Sequence, residues 1–247
     1  MCTLVMLRRP DHAWPLVVGA NRDEMIDRPA APPARHWPDR PEVVAGRDLL
    51  AGGSWLGLND WGVVAAVLNR HGSLGPEAGL RSRGELVLEA LDHADAADAA
   101  TALAHLDPAS YRSFNLIVAD NRDAFWLRHA DTGVIELYPI KRGLSLIAAG
   151  DLDDFATPRL AFALIPFTAA PAPDEAGSWR AWEALLSDDR PPQGGPREAA
   201  LRFRTGRGYG TVSSALVALP AAPGEERPVF RYAQWLPQPA PWCDVAG

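Results

Sequence analysis

Cys2 is the first residue whose chemistry invites attention. A second residue this small normally allows the preceding methionine to be cleaved, which leaves cysteine with both a thiol and a free α-amino group. A cysteine thiol titrates near about 8.5 and an α-amino group near about 7.7 to 8.0, so the amine can take the thiol proton near neutral pH. Nucleophile and base then share one residue. The alternative is a buried apolar cysteine that opens a strand.

A second concentration of chemistry is Asn21-Arg22-Asp23-Glu24, three charged groups and an amide at the end of an apolar run. Strand alternation puts Arg22 and Glu24 on one face and Asn21 and Asp23 on the other. A cation beside Cys2 favours the thiolate, and a carboxylate can orient the amine. On that basis Cys2 should alkylate faster than Cys243 near neutral pH. A salt-bridged turn is the competing account of the same four residues.

Metal chemistry has little support. His12, His36, His71, His93, His105 and His129 show no His-x-x-x-His spacing, and Cys2 and Cys243 stand near opposite ends with no Cys-x-x-Cys. His36 and His71 fall in loops where they can meet a ligand, whereas His93 and His105 fall in a helical stretch as solvated side chains. Trp37, Trp55 and Trp61 can line an apolar pocket or fill a core.

The elements that must position these residues are legible in outline. Cys2–Leu7 and Pro15–Ala20 read as a hairpin of strands apolar on both faces, as expected for covered sheets. Residues 28–42 carry five prolines and read as a loop. Ser54–Leu58 and Val63–Leu68 flank Asn59-Asp60-Trp61-Gly62, where Gly62 can take the left-handed position that closes a hairpin, with Asn69 just past the second strand. Ser82 three positions before Glu85 is a capping-box signature, followed by one helix to about Leu106. Phe114–Ala119, Ala124–Arg128, Val134–Tyr138 and Leu144–Ala148 then read as a meander. Helices are expected over Thr157–Ile165 and Asp174–Leu186, and a closing strand pair over Ser213–Leu219 and Val229–Trp235. The sum is an α+β fold of four layers, αββα, in one domain spanning residues 1–247.

Composition narrows the function classes. The chain has 247 residues, 47% of them hydrophobic, and a formal net charge of -7. Such a charge offers no general attraction to nucleic acid or anionic lipid. No apolar run approaches the roughly 18 to 20 residues of a membrane span, and no signal-peptide pattern opens the chain, so a cytoplasmic location without membrane insertion is expected.

Met1-Cys2-Thr3, Asn21-Arg22-Asp23-Glu24 with Arg28-Pro29, Ala45-Gly46-Arg47-Asp48, Gly52-Gly53-Ser54-Trp55-Leu56-Gly57 and Arg81-Ser82-Arg83-Gly84-Glu85 together closely resemble the transport and Golgi organisation 2 family, also called the Asn-Arg-Asp-Glu family. Phe114-Asn115-Leu116, Asp151-Leu152-Asp153, Gly210-Thr211 and Ser213-Ser214 extend the resemblance more weakly. That family is similar in turn to cysteine N-terminal-nucleophile amidases, the bile salt hydrolase and penicillin V acylase group.

The resemblance implies an N-terminal-nucleophile hydrolase-like sandwich. It makes Cys2 the nucleophile on a non-peptide C–N (amide) bond or in acyl transfer, and Arg22 and Asp23 its tuning groups. It gives Asn69 part of the oxyanion hole, with a turn cap as the alternative role. Asn21, Glu24, Trp55, His71 and Arg83 are the candidate ligand contacts. No cofactor is required. Some relatives handle haem or lipid-like molecules, which implies a non-catalytic alternative: binding and trafficking of haem or a lipid-like ligand on the same fold. Two departures bear on this. Leu146 and Val212 stand where the wider group carries an asparagine and an arginine, and Arg204 or Arg207 is the nearest replacement for the lost cation.

Overall fold

The ten-residue strand that carries Asn21, Arg22, Asp23 and Glu24 sits second in chain order in the computed structural model, which describes residues 2–171, 173, 179–222 and 226–246. The strands are β1 (Thr3–Arg8), β2 (Leu16–Met25), β3 (Ala30–Ala34), β4 (Val43–Asp48), β5 (Leu56–Asn59), β6 (Val64–Asn69), β7 (Phe114–Ala119), β8 (Ala124–His129), β9 (Ile135–Pro139), β10 (Gly143–Ile147), β11 (Tyr209–Leu219), β12 (Val229–Gln234) and β13 (Ala240–Asp244). The α-helices are α1 (Gly84–Leu91), α2 (Ala96–Ala104), α3 (Pro158–Ala169) and α4 (Arg180–Leu186).

These elements form two units, each one antiparallel sheet with two helices. The first comprises the chain up to Arg28 and from Arg142 to Asp244. Its sheet has the order β10-β1-β2-β11-β12-β13. Val5, Val17, Leu146 and Leu216 project from one face onto Leu160, Ala163 and Phe167 of α3 and Trp182 and Leu186 of α4. Gly19 lets α4 approach, since a Cβ there would lie 3.1 Å from Leu186 Cδ1.

The second unit comprises Pro29–Lys141 and the chain end from Val245. Its sheet runs β3 to β9 in sequence order. Val43, Ala45, Val63, Ala65, Leu116 and Val118 pack against Leu86, Val87 and Leu91 of α1 and Ala96, Ala99 and Leu103 of α2. The class is α+β, as expected.

β2 ends in the Asn-Arg-Asp-Glu run, as expected, and extends one residue further to Met25, because β11 pairs with it along its whole length. Several local expectations need correction. The proline-rich stretch 28–42 contains β3, an edge strand paired only with β4, where missing N–H donors cost least. The single helix to Leu106 is two helices. Asp95 breaks it and caps α2, its side chain accepting from Asp98 N. His93 therefore falls between the helices. The Ser82 capping box does not form: α1 has no side-chain N-cap bond, and Glu85 instead meets Arg81.

The meander holds for β7, β8 and β9, but β10 leaves it to pair with β1 in the other sheet. The closing pair gains a third strand, β13, in the tail that carries Cys243. The helix expected over Asp174–Leu186 is described from Arg180 onward, residues 174–178 lying outside the described residues. Gly62 takes the left-handed conformation, φ 85°, that its hairpin requires.

Candidate functional site

In the first unit, Cys2 leads directly into β1, and pairing sets the neighbourhood by register: Thr3 opposite Asn21, Thr211 opposite Asp23, Ser213 opposite Arg22 and Ser214 opposite Asn21. A bulge between Thr211 and Ser213 inserts Val212. Alternation along β2 separates the four motif side chains as expected.

Asp23 is held on the helix-facing side. Its Oδ2 accepts from Arg159 Nη1 at 2.6 Å and its Oδ1 from Thr211 Oγ1 at 2.7 Å. The Arg159 and Asp23 side chains are 2% and 0% exposed, so this is a fully buried ion pair. Arg159 also reaches Thr3 Oγ1 at 3.2 Å and Glu198 O, and its guanidinium lies 4.6 Å from the Phe203 ring centroid. On the same face Asn21 Nδ2 donates to Leu186 O and Leu201 O at 2.9 and 2.8 Å. Its Oδ1 accepts from Ser214 Oγ, which in turn accepts from Trp235 Nε1 at 2.7 Å. On the other face Glu24 lies 3.8 Å from both Arg22 and Arg28.

The Cys2 thiol donates to Asp23 O at 3.6 Å. Burial pushes its pKa up and the Asp23 charge adds to the rise, while Arg22 pulls it down by less. Arg22 thus acts in the expected direction, toward the thiolate, but desolvation and the nearby carboxylate outweigh it. Tyr209 donates to Asp23 O at 3.3 Å, and burial first, then the charges of Cys2, Asp23 and Glu24, push its own pKa well up. Met1, whose removal is expected from the sequence, lies outside the described residues.

Arg159, Thr211, Tyr209 and Ser214 complete this cluster. Arg159 and Tyr209 carried no signal in the sequence, whereas Thr211 and Ser214 lay in segments already conspicuous there.

The remaining candidates lie in the second unit. Asn69 is the last residue of β6, half-buried and opposite Phe114. Trp55 lies over Gly46, where a Cβ would collide with the indole. Arg83 donates to Ser73 O at 2.7 Å, Ser73 Oγ at 2.8 Å and Ser113 O at 3.0 Å, pinning a loop. His71 is exposed. Asn59 closes the β5–β6 hairpin, accepting from Trp61 N and Val63 N.

Of the two departures, Leu146 is fully buried in the helix-side core of the first unit, and its backbone N–H donates to Asp153 Oδ1 at 2.8 Å. Val212 is buried at the bulge, its carbonyl accepting from Trp235 N at 2.8 Å.

The family model for Transport and Golgi organisation 2 matches residues 1–148, more than half of the chain. The chain belongs to this family. Among curated relatives, the Transport and Golgi organization protein 2 homolog of Bos taurus is 38% identical over 118 residues, and that of Homo sapiens 35% over 119. Each match spans 44% of this chain and 40% of the relative's length.

Solved structures extend the comparison beyond the family. A mutant conjugated bile acid hydrolase from Clostridium perfringens, with cysteine replaced by alanine, superposes with TM-score 0.56 over 99% of this chain and 92% of its own, at 12% identity. An N-acylethanolamine-hydrolyzing acid amidase ortholog from Caenorhabditis elegans gives TM-score 0.59 over 90% and 94%, at 14% identity. The fold of this Transport and Golgi organisation 2 member is thus the N-terminal-nucleophile hydrolase-like one. The family match takes in Cys2, Asn21 to Glu24 and Asn69; Arg159, Tyr209 and Thr211, which complete the Asp23 cluster, lie beyond it. No described helix is long and apolar enough to cross a membrane.

Proposed function

We propose that this protein is a cysteine-dependent amide hydrolase or acyl-transfer enzyme with Cys2 as nucleophile. The observation that carries the reading is the placement of the Cys2 thiol against Asp23, whose carboxylate is fixed by Arg159 and Thr211. The fold shared with a bile acid hydrolase and an acylethanolamine amidase supports it and suggests a small-molecule amide as substrate.

The reading requires cleavage between Met1 and Cys2. The freed amine then takes the thiol proton, and sulfur attacks the carbonyl carbon to give a tetrahedral oxyanion. The oxyanion collapses as the C–N bond breaks, the ammonium returns its proton to the leaving nitrogen, and a thioester on Cys2 remains. Water attacks that thioester, the amine again acting as base, and releases the carboxylic acid. For acyl transfer an acceptor amine or alcohol replaces water. Asp23 orients the Cys2 amine, and Arg22 offsets part of the charge that raises the thiol pKa. The resemblance alone supports Asn69 as an oxyanion donor, a role worth about 2.7 to 4 kcal/mol where such donors have been removed. Amine release from a panel of N-acyl substrates by wild type, and none by Cys2→Ala, is the expected result; equal release by both proteins counts against the proposal.

Two observations favour the second reading, a non-catalytic carrier of haem or a lipid-like ligand. Burial keeps the thiol protonated, and Leu146 serves core packing where a polar amide is expected. Under that reading Cys2→Ala binds haem or a fatty acyl ligand within a few-fold of wild type.

A further inference from the structure

On the side of the first sheet that carries Asn21 and Asp23 lies a cavity of about 320 Å³ lined by Arg197, Arg202, Arg204, Asp189, Phe203 and Trp235. Thr211, the residue that donates to Asp23, forms part of its wall. The volume falls at the lower end of the roughly 300 to 1,000 Å³ typical of small-molecule sites.

Its charges do not cancel. Arg202 pairs with Asp189 at 2.7 Å and stacks 4.9 Å from the Trp235 ring centroid. Asp188, the adjacent acid, is taken by Arg190 at 2.7 Å. Neither Arg197 nor Arg204 makes a side-chain hydrogen bond or ion pair among the described residues, and both are exposed. Glu198, next to Arg197, does not line the cavity. The lining therefore carries two arginines without a paired carboxylate beside two aromatic residues.

We propose that this cavity binds the phosphate group of a small phosphorylated ligand, with the body of that ligand against Phe203 and Trp235. A carboxylate is satisfied by one guanidinium fork. A phosphate offers three terminal oxygens and a second charge, so one group can engage two guanidinium groups at once. The site does not include Cys2, but it adjoins the Cys2 cluster through Thr211, through Phe203 against Arg159 and through Trp235, which donates to Ser214.

The test is calorimetric titration of the full chain with inorganic pyrophosphate at about 0.15 M salt, where weak surface attraction is screened. One saturable site is expected, weakened roughly tenfold or more in the double variant Arg197→Gln/Arg204→Gln and unchanged in Cys2→Ala. Because both arginines are exposed, the double variant should melt at the wild-type temperature, which separates lost binding from lost fold. Succinate should bind roughly tenfold or more weakly than pyrophosphate. No saturable pyrophosphate site, equal affinity in the double variant, or succinate matching pyrophosphate would each overturn the assignment.

Discussion

Asp23 Oδ2 lies 2.6 Å from Arg159 Nη1, with both side chains out of contact with solvent. One partner is on β2 and the other on α3, so the pair ties the strand beside Cys2 to the helix that packs on it. Thr211 and Thr3 supply the further hydrogen bonds a buried pair needs to offset its desolvation.

Removing one partner of this pair should be costly. Arg159→Leu leaves a buried carboxylate unpaired and is expected to destabilise the protein by about 3 to 5 kcal/mol. Pairing it with Asp23→Asn should recover part of that loss. Urea unfolding of the single and double variants measures both, and a cost for Arg159→Leu below about 1 kcal/mol would show the pair to be energetically idle.

The backbone contact between two motif segments should also resist substitution, at a smaller cost. A Cβ on Gly53 would lie 2.5 Å from the Gly84 carbonyl carbon, and Ser54 N donates to Gly84 O at 3.0 Å. Gly53→Ala should therefore cost about 1 to 3 kcal/mol, read as a lower melting temperature. An unchanged melting temperature would contradict the contact.

Much of this was legible in the sequence, for local reasons. The period of two in a strand placed Asn21 and Asp23 opposite Arg22 and Glu24 before any coordinates, and Gly62 announced its hairpin. The family motifs were visible, but several prove to be packing devices: Gly46 makes room for Trp55, Gly53 and Gly84 let two backbones meet, and Asp153 caps Leu146. Non-local features were not legible. Arg159 stands 136 positions from Asp23, and no periodicity connects them. Nor could alternation tell β10 which sheet to join, because sheet membership is decided by distant pairing. The helix to Leu106 failed at Asp95, where a side-chain cap outcompeted the Ala/Leu propensity on both sides.

Tyr111 gives an alkaline signature. Its hydroxyl is buried without a hydrogen-bond partner among the described residues, and burial followed by Glu89 pushes its pKa up to about 12. A folded pKa above the unfolded value near about 10 means its stability contribution is complete below pH 10 and lost as pH climbs toward about 12. Tyr111→Phe should lose less stability across that window and be at least as stable as wild type at neutral pH. Parallel alkaline melting curves for the two proteins would refute this.

The raised thiol pKa also fixes the order of cysteine reactivity. In chains that keep Met1, Cys2 should alkylate more slowly than the exposed Cys243 at neutral pH. Peptide mapping after timed iodoacetamide labelling measures both rates. Faster labelling of Cys2 at neutral pH would mean that Arg22 prevails over burial.

The most direct measurement of the central claim is the intact mass of the purified chain before and after exposure to a panel of activated acyl esters. The account predicts a chain that begins at Cys2 and gains the mass of one acyl group on that residue, a gain abolished in Cys2→Ala. A chain that retains Met1 and forms no adduct with any donor, while Cys2→Ala binds haem as tightly as wild type, would contradict it.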